Sequence, residues 1–352
     1  MKFFNVGAMG PAFDAARLSN ANSLVERTLS QHGLWPADDG LQRSKPLGDQ
    51  APMDPMAQFG SKLKAPRNNR SQHRKTYTCR AGSREYLIYV PEVASEQASG
   101  VVMMLHGCTQ SPEDFAAGTG MNALADLHGF VVVYPVQARG NNAQSCWNWF
   151  SVADQRRGAG EPAILAGLAA EVAADHKVDR ANTFVAGLSA GAAMAAILGE
   201  TYPDVFAAVG AHSGLPKGAA RDVPSAFGAM SGKILDAALP SKSGSTVRTI
   251  AFHGTRDSTV HPENSERIFR RATNIRGSSG NATTELGTQN GRSYERCIVW
   301  GDDGVPTAEL WRVEGQGHAW SGGDKSGSYT DDQGPDASRE MVRFFFNCVE
   351  GV

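Results

Sequence analysis

The chain has 352 residues, of which 41% are hydrophobic and 20% charged, enough apolar material for one large core. Its 34 Lys and Arg residues nearly balance 36 Asp and Glu residues, for a net charge of −2, which argues against a dedicated nucleic-acid-binding protein. No apolar run approaches the ~18 residues of a transmembrane helix.

The first 75 residues differ in character from the rest. Residues 11–33 carry apolar side chains near a 3.6-residue period, which predicts a helix. The stretch that follows is rich in Pro, Gly and charged residues and shows no periodicity, so it is expected to be a polar linker or arm. The N-terminus lacks the long apolar core of a signal peptide, which predicts a cytoplasmic protein, with a secreted or periplasmic location as the alternative.

From residue 76 onward the pattern is that of an α/β domain. Short apolar runs without alternation predict buried strands at 84–90, 101–105, 130–135, 182–188, 206–214, 247–254 and 307–315. Helical spacing or capping signals predict helices that begin at Ser111 and cover 161–176, 190–200 and 335–349. Strands separated by helices indicate a mostly parallel sheet with helices on both faces. Residues 76–352 are therefore predicted to form one catalytic domain, with 215–246 as an insertion near the pocket.

A nucleophile is indicated by the sequence Gly187-Leu188-Ser189-Ala190-Gly191. It matches G-x-S-x-G, a pattern that carries little weight alone, but an apolar strand precedes it and an Ala-rich helix follows it. That context is typical of a nucleophile elbow, in which a sharp turn presents the serine hydroxyl above the sheet. Ser189 is the predicted nucleophile.

A serine hydroxyl needs an imidazole to take its proton. His318 lies in the Gly-flanked segment GQGHAWSGG after a late strand, and is the predicted base. His212 and His253 lie in or at the end of apolar strands and are interpreted as core or supporting residues. His261 follows the acid candidate and is expected to help fix its loop.

The imidazole in turn needs a carboxylate that holds it in the right tautomer. Asp257 follows a predicted strand, so it lies at the same edge of the sheet as Ser189, and it falls between Ser189 and His318 in the chain, as the α/β-hydrolase order requires. The competing carboxylates all follow His318 in the chain; they are Asp324, Asp331, Asp332 and Asp336.

Two backbone N–H groups are expected to form an oxyanion hole for the tetrahedral intermediate. One belongs to Ala190, directly after the nucleophile, and the other to Cys108 in the loop LHGCTQ. The sequence has five cysteines but no C-x-x-C or H-E-x-x-H motif, so neither a metal site nor a cofactor is predicted. Cys108 and Cys146 lie on loops expected near the site, and whether they pair is left open by the sequence.

Several motifs occur together in a characteristic order: LHGCTQSPEDFA, YPVQ, CWNWF, GLSAGAAMA, HSG and GHAWSGG. On these motifs the chain resembles the poly(3-hydroxybutyrate) depolymerase family of esterases, which is close to the feruloyl and acetylxylan esterases of carbohydrate esterase family one. The resemblance covers roughly residues 76–348. It implies an α/β-hydrolase fold, the triad Ser189, Asp257 and His318, and the Cys108 amide as an oxyanion donor.

The resemblance leads to an expected function and two alternatives. The expectation is a serine esterase that cleaves poly- or oligo(3-hydroxyalkanoate) esters through an acyl-enzyme. The alternatives are a feruloyl or acetylxylan esterase and, in another class, a hydrolase-fold binding protein without catalysis. Since no polymer-binding module follows the last helix, soluble oligomers, amorphous polymer or small esters are expected in preference to a crystalline solid.

Two further features bear on the substrate. Trp147, Trp149 and Trp320 lie in loops near the predicted site and are predicted to bind substrate as an apolar wall, with core packing as the alternative. The helix at 11–33 is expected to pack on the domain or to hold the protein on a polymer granule.

Overall fold

The computed structural model describes residues 73–94, 97–233, 247–276 and 282–347 of the chain. All of them belong to a compact unit that spans Gln72–Val352. The helix predicted at 11–33 and residues 234–246 of the predicted insertion lie outside the described residues. The first strand begins at His73, slightly before the expected start of the domain at 76.

The domain is built on a ten-stranded sheet. Its strands, numbered in chain order, are β1 His73–Cys79, β2 Gly82–Tyr89, β3 Val101–Leu105, β4 Val131–Pro135, β5 Thr183–Leu188, β6 Ala208–His212, β7 Arg248–Gly254, β8 Ala282–Gln289, β9 Arg292–Trp300 and β10 Pro306–Val313. The order across the sheet is β1-β2-β4-β3-β5-β6-β7-β10-β9-β8. The six central strands, β4-β3-β5-β6-β7-β10, are parallel to one another, whereas the pairs β1-β2, β2-β4, β10-β9 and β9-β8 are antiparallel. The predicted α/β class and mostly parallel sheet are confirmed.

Helices cover both faces of this sheet. They are α1 Pro112–Thr119, α2 Met121–His128, α3 Gly160–Asp175, α4 Ala190–Thr201, α5 Val223–Met230, α6 Glu263–Arg276 and α7 Ala337–Phe346. Alternate residues of β3 enter two different cores: Val101, Met103 and Leu105 pack with α3 and α4, and Val102 and Met104 with α1, α2 and α7. A strand buried on both faces has no polar alternation, which explains the continuous apolar run VVMML.

Local signals fix where two of the predicted helices begin. The Ser111 hydroxyl accepts a hydrogen bond from the Asp114 N–H at 3.2 Å, and Pro112 occupies the first turn of α1. The Asp336 carboxylate accepts one from the Arg339 N–H at 3.0 Å and caps α7. Among the helices that the structure describes, none has the length and apolarity needed to cross a membrane.

Candidate active site

The parallel strands end at one edge of the sheet, and the predicted catalytic residues follow three of those ends. Ser189 comes directly after β5, the Asp257 loop follows β7, and the His318 loop follows β10. Leu188, His212 and Phe252 form one row across β5, β6 and β7. Loops at the carboxyl ends of parallel strands meet at this edge, so the topology brings the three residues to the same side of the sheet.

Ser189 occupies a strained turn between β5 and α4. Its φ of 57° and ψ of −118° place a non-glycine residue in a sparsely populated region. The Ser189 N–H donates to the His212 carbonyl at 2.9 Å, which anchors the turn to the neighbouring strand. This is the geometry of a nucleophile elbow.

The two glycines that flank this turn have no room for a side chain. A Cβ on Gly191 would lie 2.0 Å from the Leu105 carbonyl oxygen, and one on Gly187 would lie 2.5 Å from the Gly191 carbonyl carbon. Both distances are far below van der Waals contact. The glycines of G-x-S-x-G are therefore required because the end of β3 packs directly against the first turn of α4.

The loop after β3 leaves one amide free at the predicted oxyanion hole. The Gly107 N–H donates to the Gln110 side-chain oxygen at 2.9 Å, and the Thr109 N–H to the Gln144 carbonyl at 2.8 Å. Within the described residues, the Cys108 N–H between them has no acceptor. At the start of α4 the Ser189 side chain makes no capping hydrogen bond. The N–H groups of Cys108 and Ala190 thus lie at the strand edge of Ser189 without a protein acceptor fixed on them, as oxyanion donors require.

A disulfide joins Cys108 to Cys146 and ties the oxyanion loop to the segment CWNWF. The sequence left open whether Cys108 and Cys146 pair, and in the structure they do. A buried polar cluster secures the same segment: Glu161 accepts the Asn148 N–H at 2.8 Å, and the Gln137 amide donates to the Cys146 carbonyl at 2.8 Å. Burial raises the pKa of Glu161 above its ordinary value.

His318 and Asp257 form a direct pair. The His318 Nδ1 atom lies 2.7 Å from Asp257 Oδ2, and both side chains are almost completely buried. The other carboxylate oxygen, Oδ1, accepts the N–H groups of Thr259 at 2.9 Å and Val260 at 2.8 Å. Burial raises the pKa of Asp257, but hydrogen bonds from His253 and His318 outweigh it, so that the pKa lies well below its ordinary value. Asp257 is an anion, and His318 Nδ1 carries the proton between them.

The competing carboxylates have other partners. Asp324 accepts the Ser326 N–H, Asp331 pairs with Arg292, Asp332 pairs with Lys325, and Asp336 caps α7. Within the described residues, none of the four is hydrogen-bonded to His318. The contacts therefore favour Asp257.

His212 links the nucleophile to the loop of the base. Its carbonyl accepts the Ser189 N–H, and its Nε2 atom accepts the Ser321 N–H at 3.0 Å. Its Nδ1 lies 3.1 Å from the Ser213 hydroxyl. Because burial lowers its pKa well below the ordinary value, His212 stays neutral and Nε2 stays an acceptor. One side chain thus holds the segment after His318 against the strand beside Ser189, which fits the predicted supporting role.

The three tryptophans pack inside the protein. Trp147 and Trp320 are 0% and 1% exposed, and Trp149 is 6% exposed. The Trp147 indole N–H donates to the His106 carbonyl at 3.0 Å, and the Trp320 indole N–H to the Ser338 hydroxyl at 3.0 Å. The structure therefore places these rings in the core, the other interpretation that the sequence allowed, and presents none of them as an open substrate-binding wall.

The remaining predicted supporting residue, His261, is exposed and fixes the start of α6. Its Nδ1 accepts the Glu263 N–H at 3.2 Å, and its own N–H donates to the Met230 carbonyl at 2.7 Å. In the part of the chain that the structure describes, no group of three or more His, Cys, Asp or Glu residues is arranged to hold a metal ion.

Comparison with known proteins shows relatives among ester hydrolases. The chain is 33% identical over 228 residues to poly(3-hydroxyalkanoate) depolymerase C of Paucimonas lemoignei, covering 62% of this chain and 54% of the relative. It is 27% identical over 230 residues to acetylxylan esterase A of Aspergillus oryzae, covering 61% and 74% of the two chains. The chain thus spans about half the length of the bacterial depolymerase and about three quarters of the fungal esterase.

The fold also has a known counterpart. An acetyl xylan esterase from Aspergillus awamori superposes with a TM-score of 0.61 at 23% identity, over 75% of this chain and 94% of the other. The family model described as esterase PHB depolymerase matches residues 84–288, which include Ser189 and Asp257 and end before His318. That span exceeds half of the 352 residues, and the chain belongs to the PHB depolymerase family of α/β-hydrolase esterases.

Proposed function

We propose that this protein is a serine esterase that hydrolyses 3-hydroxyalkanoate esters through an acyl-enzyme. The observation that carries the proposal is the combination of a strained serine elbow, a buried Asp257–His318 pair at 2.7 Å and a Cys108 amide that has no acceptor among the described residues. The similarity to a bacterial poly(3-hydroxyalkanoate) depolymerase supports the hydroxyalkanoate substrate.

The geometry supports a two-step mechanism. His318 takes the Ser189 proton on Nε2 while Asp257 holds Nδ1–H, and the serine oxygen attacks the ester carbonyl. The N–H groups of Cys108 and Ala190 stabilise the oxyanion. The tetrahedral intermediate collapses, His318 returns the proton to the departing alcohol, and water then hydrolyses the acyl-enzyme by the same route.

The test is labelling together with a substrate panel. A fluorophosphonate should label Ser189, and Ser189→Ala should abolish labelling and leave at most a residual rate from binding and the oxyanion hole. Near-normal ester turnover by that variant would refute the nucleophile, and an unlabelled parent protein would favour the non-catalytic binding protein.

A second candidate substrate is supported by the acetylxylan esterase relatives, which match about as much of this chain as the depolymerase does. Deacetylation or deferuloylation of polysaccharide would use the same residues. Hydroxybutyrate oligomers, methyl ferulate and acetylated xylan should be compared at matched concentrations. We expect the oligomers to give the highest kcat/KM, and a higher value for ferulate or xylan would reverse the order.

Two further aspects of the function are part of this proposal. The Cys108–Cys146 disulfide favours an oxidising compartment, because such bonds are rare in the cytosol, so we propose the secreted or periplasmic alternative over the expected cytoplasmic location. The N-terminal segment is proposed to associate with polymer granules, and its residues lie outside the described part.

A further inference from the structure

The Asp257 oxygen that binds His318 also faces a second imidazole. The Nε2 atom of His253, at the end of β7, lies 3.2 Å from Asp257 Oδ2 and 2.8 Å from the Val260 carbonyl oxygen. The Nδ1 atom of His253 lies 2.6 Å from the Ser265 hydroxyl in α6. His253 and Ser265 are 2% and 0% exposed, so no solvent takes part in these contacts.

These contacts determine which nitrogen of His253 carries the proton. A carboxylate and a carbonyl only accept hydrogen bonds, and both face Nε2, so Nε2 must be the donor. Nδ1 then accepts from the Ser265 hydroxyl. The result is a continuous buried network. Ser265 donates to His253 Nδ1, and His253 Nε2 donates to the Val260 carbonyl while lying 3.2 Å from Asp257 Oδ2, the oxygen to which His318 donates.

We propose that His253 is a positioning residue that tunes the base: its Nε2–H group, with Nε2 held 3.2 Å from Asp257 Oδ2, stabilises the same negative charge that stabilises the His318 imidazolium. The inference rests on the proposed function, in which His318 is the base. A carboxylate that gives part of its charge to a second donor holds a neighbouring imidazolium less tightly. The neutral, catalytically competent form of His318 is then populated down to a lower pH.

The other titratable groups around this hydrogen-bonded network are exposed to solvent, paired with other residues or neutral. On the same loop, Arg256 and His261 are exposed. From α6, the Glu266 carboxylate accepts from Arg312 at 2.5 Å. From β6, His212 stays neutral because it is buried. Among the described residues, the two imidazole nitrogens within 3.2 Å of Asp257 Oδ2 thus belong to His253 and His318.

Substitutions separate donation from packing. His253→Asn places an amide near the Nδ1 position, keeps a partner for Ser265 and removes the N–H group beside Asp257. His253→Gln places an amide nitrogen near the Nε2 position and restores an N–H group there. Ser265→Ala is the matched structural control, because it removes the hydrogen bond to His253 Nδ1 and leaves the His253 ring beside Asp257.

Two midpoints are measured in the full-length protein. One is the pH at which kcat/KM on a soluble ester falls to half on the acid side of its pH profile, and the other is the midpoint of an NMR titration of the His318 ring. For His253→Asn we expect both midpoints to move up by about 0.5 pH unit, because Asp257 then holds the His318 imidazolium more tightly. His253→Gln and Ser265→Ala should stay close to the parent midpoint. Equal midpoints in parent and His253→Asn, or an equal rise in Ser265→Ala, would overturn the proposal.

A measurement on the parent protein tests the same inference without any variant. Nitrogen-15 NMR at neutral pH should show His253 protonated on Nε2 and bare on Nδ1, and a proton on Nδ1 would overturn the proposal. Neither NMR measurement needs a substrate. Failure of the esterase function, seen as full turnover by Ser189→Ala, is therefore distinguishable from failure of the role of His253.

Discussion

Several non-glycine residues in the loops of the candidate site have a positive φ. Thr109, Ser189, Ser213 and Tyr329 adopt φ values of 66°, 57°, 52° and 53°, although none is glycine. Each such conformation costs on the order of 1–3 kcal/mol and persists only where surrounding contacts enforce it. Here the Ser189 N–H is held by His212, and the Thr109 hydroxyl lies 3.2 Å from the Tyr329 hydroxyl. These backbone conformations thus lower the stability of the fold at the sheet edge where Ser189 lies, a cost that is typical of functional sites.

At the residue scale, the acid of the triad is open to a direct test. Asp257→Asn should lower turnover by about 10⁴-fold with little loss of folding, because the amide favours the wrong imidazole tautomer. Asp324→Asn should retain activity, since Asp324 accepts from the Ser326 N–H and is not bonded to His318. Steady-state kinetics and melting temperatures of both variants make the comparison. A large loss at position 324 with a small loss at 257 would move the acid to Asp324.

The buried His106 should make the protein less stable in acid. Its Nδ1 donates to the Gly107 carbonyl and its Nε2 accepts the Gln137 N–H. Burial lowers the pKa of His106 to about 4 from 6.5, so between these values the unfolded chain binds a proton that the folded chain does not. The free energy of unfolding is therefore unaffected by this group above about pH 6.5 and falls as the pH drops towards 4.

Urea unfolding at a series of pH values checks this expectation. His106→Gln should be less stable at pH 7, because buried hydrogen bonds are disturbed, but should lose less stability between pH 6.5 and 4 than the parent. His212 is also buried and neutral, so the variant should keep part of the dependence of unfolding free energy on pH. Parallel pH profiles for parent and variant would contradict the assignment.

At the scale of elements, the disulfide fixes two loops that the sheet does not hold. It closes a sequence separation of 38 residues, for which chain entropy gives a stabilisation of about 4 kcal/mol. The double variant Cys108→Ser and Cys146→Ser should lose roughly that free energy of unfolding. It should also lose at least about 10-fold in kcat, because the Cys108 amide is held less firmly at the oxyanion.

Contacts that survive in this double variant limit the loss of activity. The Thr109 N–H still donates to the Gln144 carbonyl, and Glu161 still binds the Asn148 N–H. Cys79→Ser is the matched control, since Cys79 is a free cysteine in β1, and it should match the parent in both measurements. If the double variant were as active and stable as the control, the disulfide would have no part in the site.

Some elements could be predicted because their environment matches their sequence pattern. The strand predicted at 101–105 agrees with β3, whose five residues are all buried. The hairpin of β8 and β9 was missed, because most residues of β8 are exposed and polar, so the strand has no apolar run to reveal it. A usable signal was nevertheless present in Asn290-Gly291, which joins the two strands with φ values of 48° and 85°.

At the scale of the whole molecule, topology explains which site residues could be predicted. Ser189, Asp257 and His318 each follow a parallel strand, and parallel strands end at a common edge, so chain order and strand assignment are enough to predict that all three lie at that edge. The close approach of His253 to Asp257 depends on how the loop after β7 folds back on its own strand, which no periodicity encodes. Burial of the tryptophans likewise depends on the packing of distant elements, such as Phe115 against Trp320.

The described domain should be sufficient for hydrolysis of soluble esters. The ten-stranded sheet and the proposed triad lie within the compact unit Gln72–Val352. A variant that starts at Gln72, after an initiator methionine, should therefore keep the melting temperature and the kcat/KM of the full chain on a soluble hydroxybutyrate oligomer. If the preceding segment holds the protein on polymer granules, co-sedimentation with granules should be lost in the same variant. A truncated protein that loses turnover of soluble oligomers would show that residues 1–71 support the catalytic domain itself, whereas unchanged sedimentation would remove them from polymer binding.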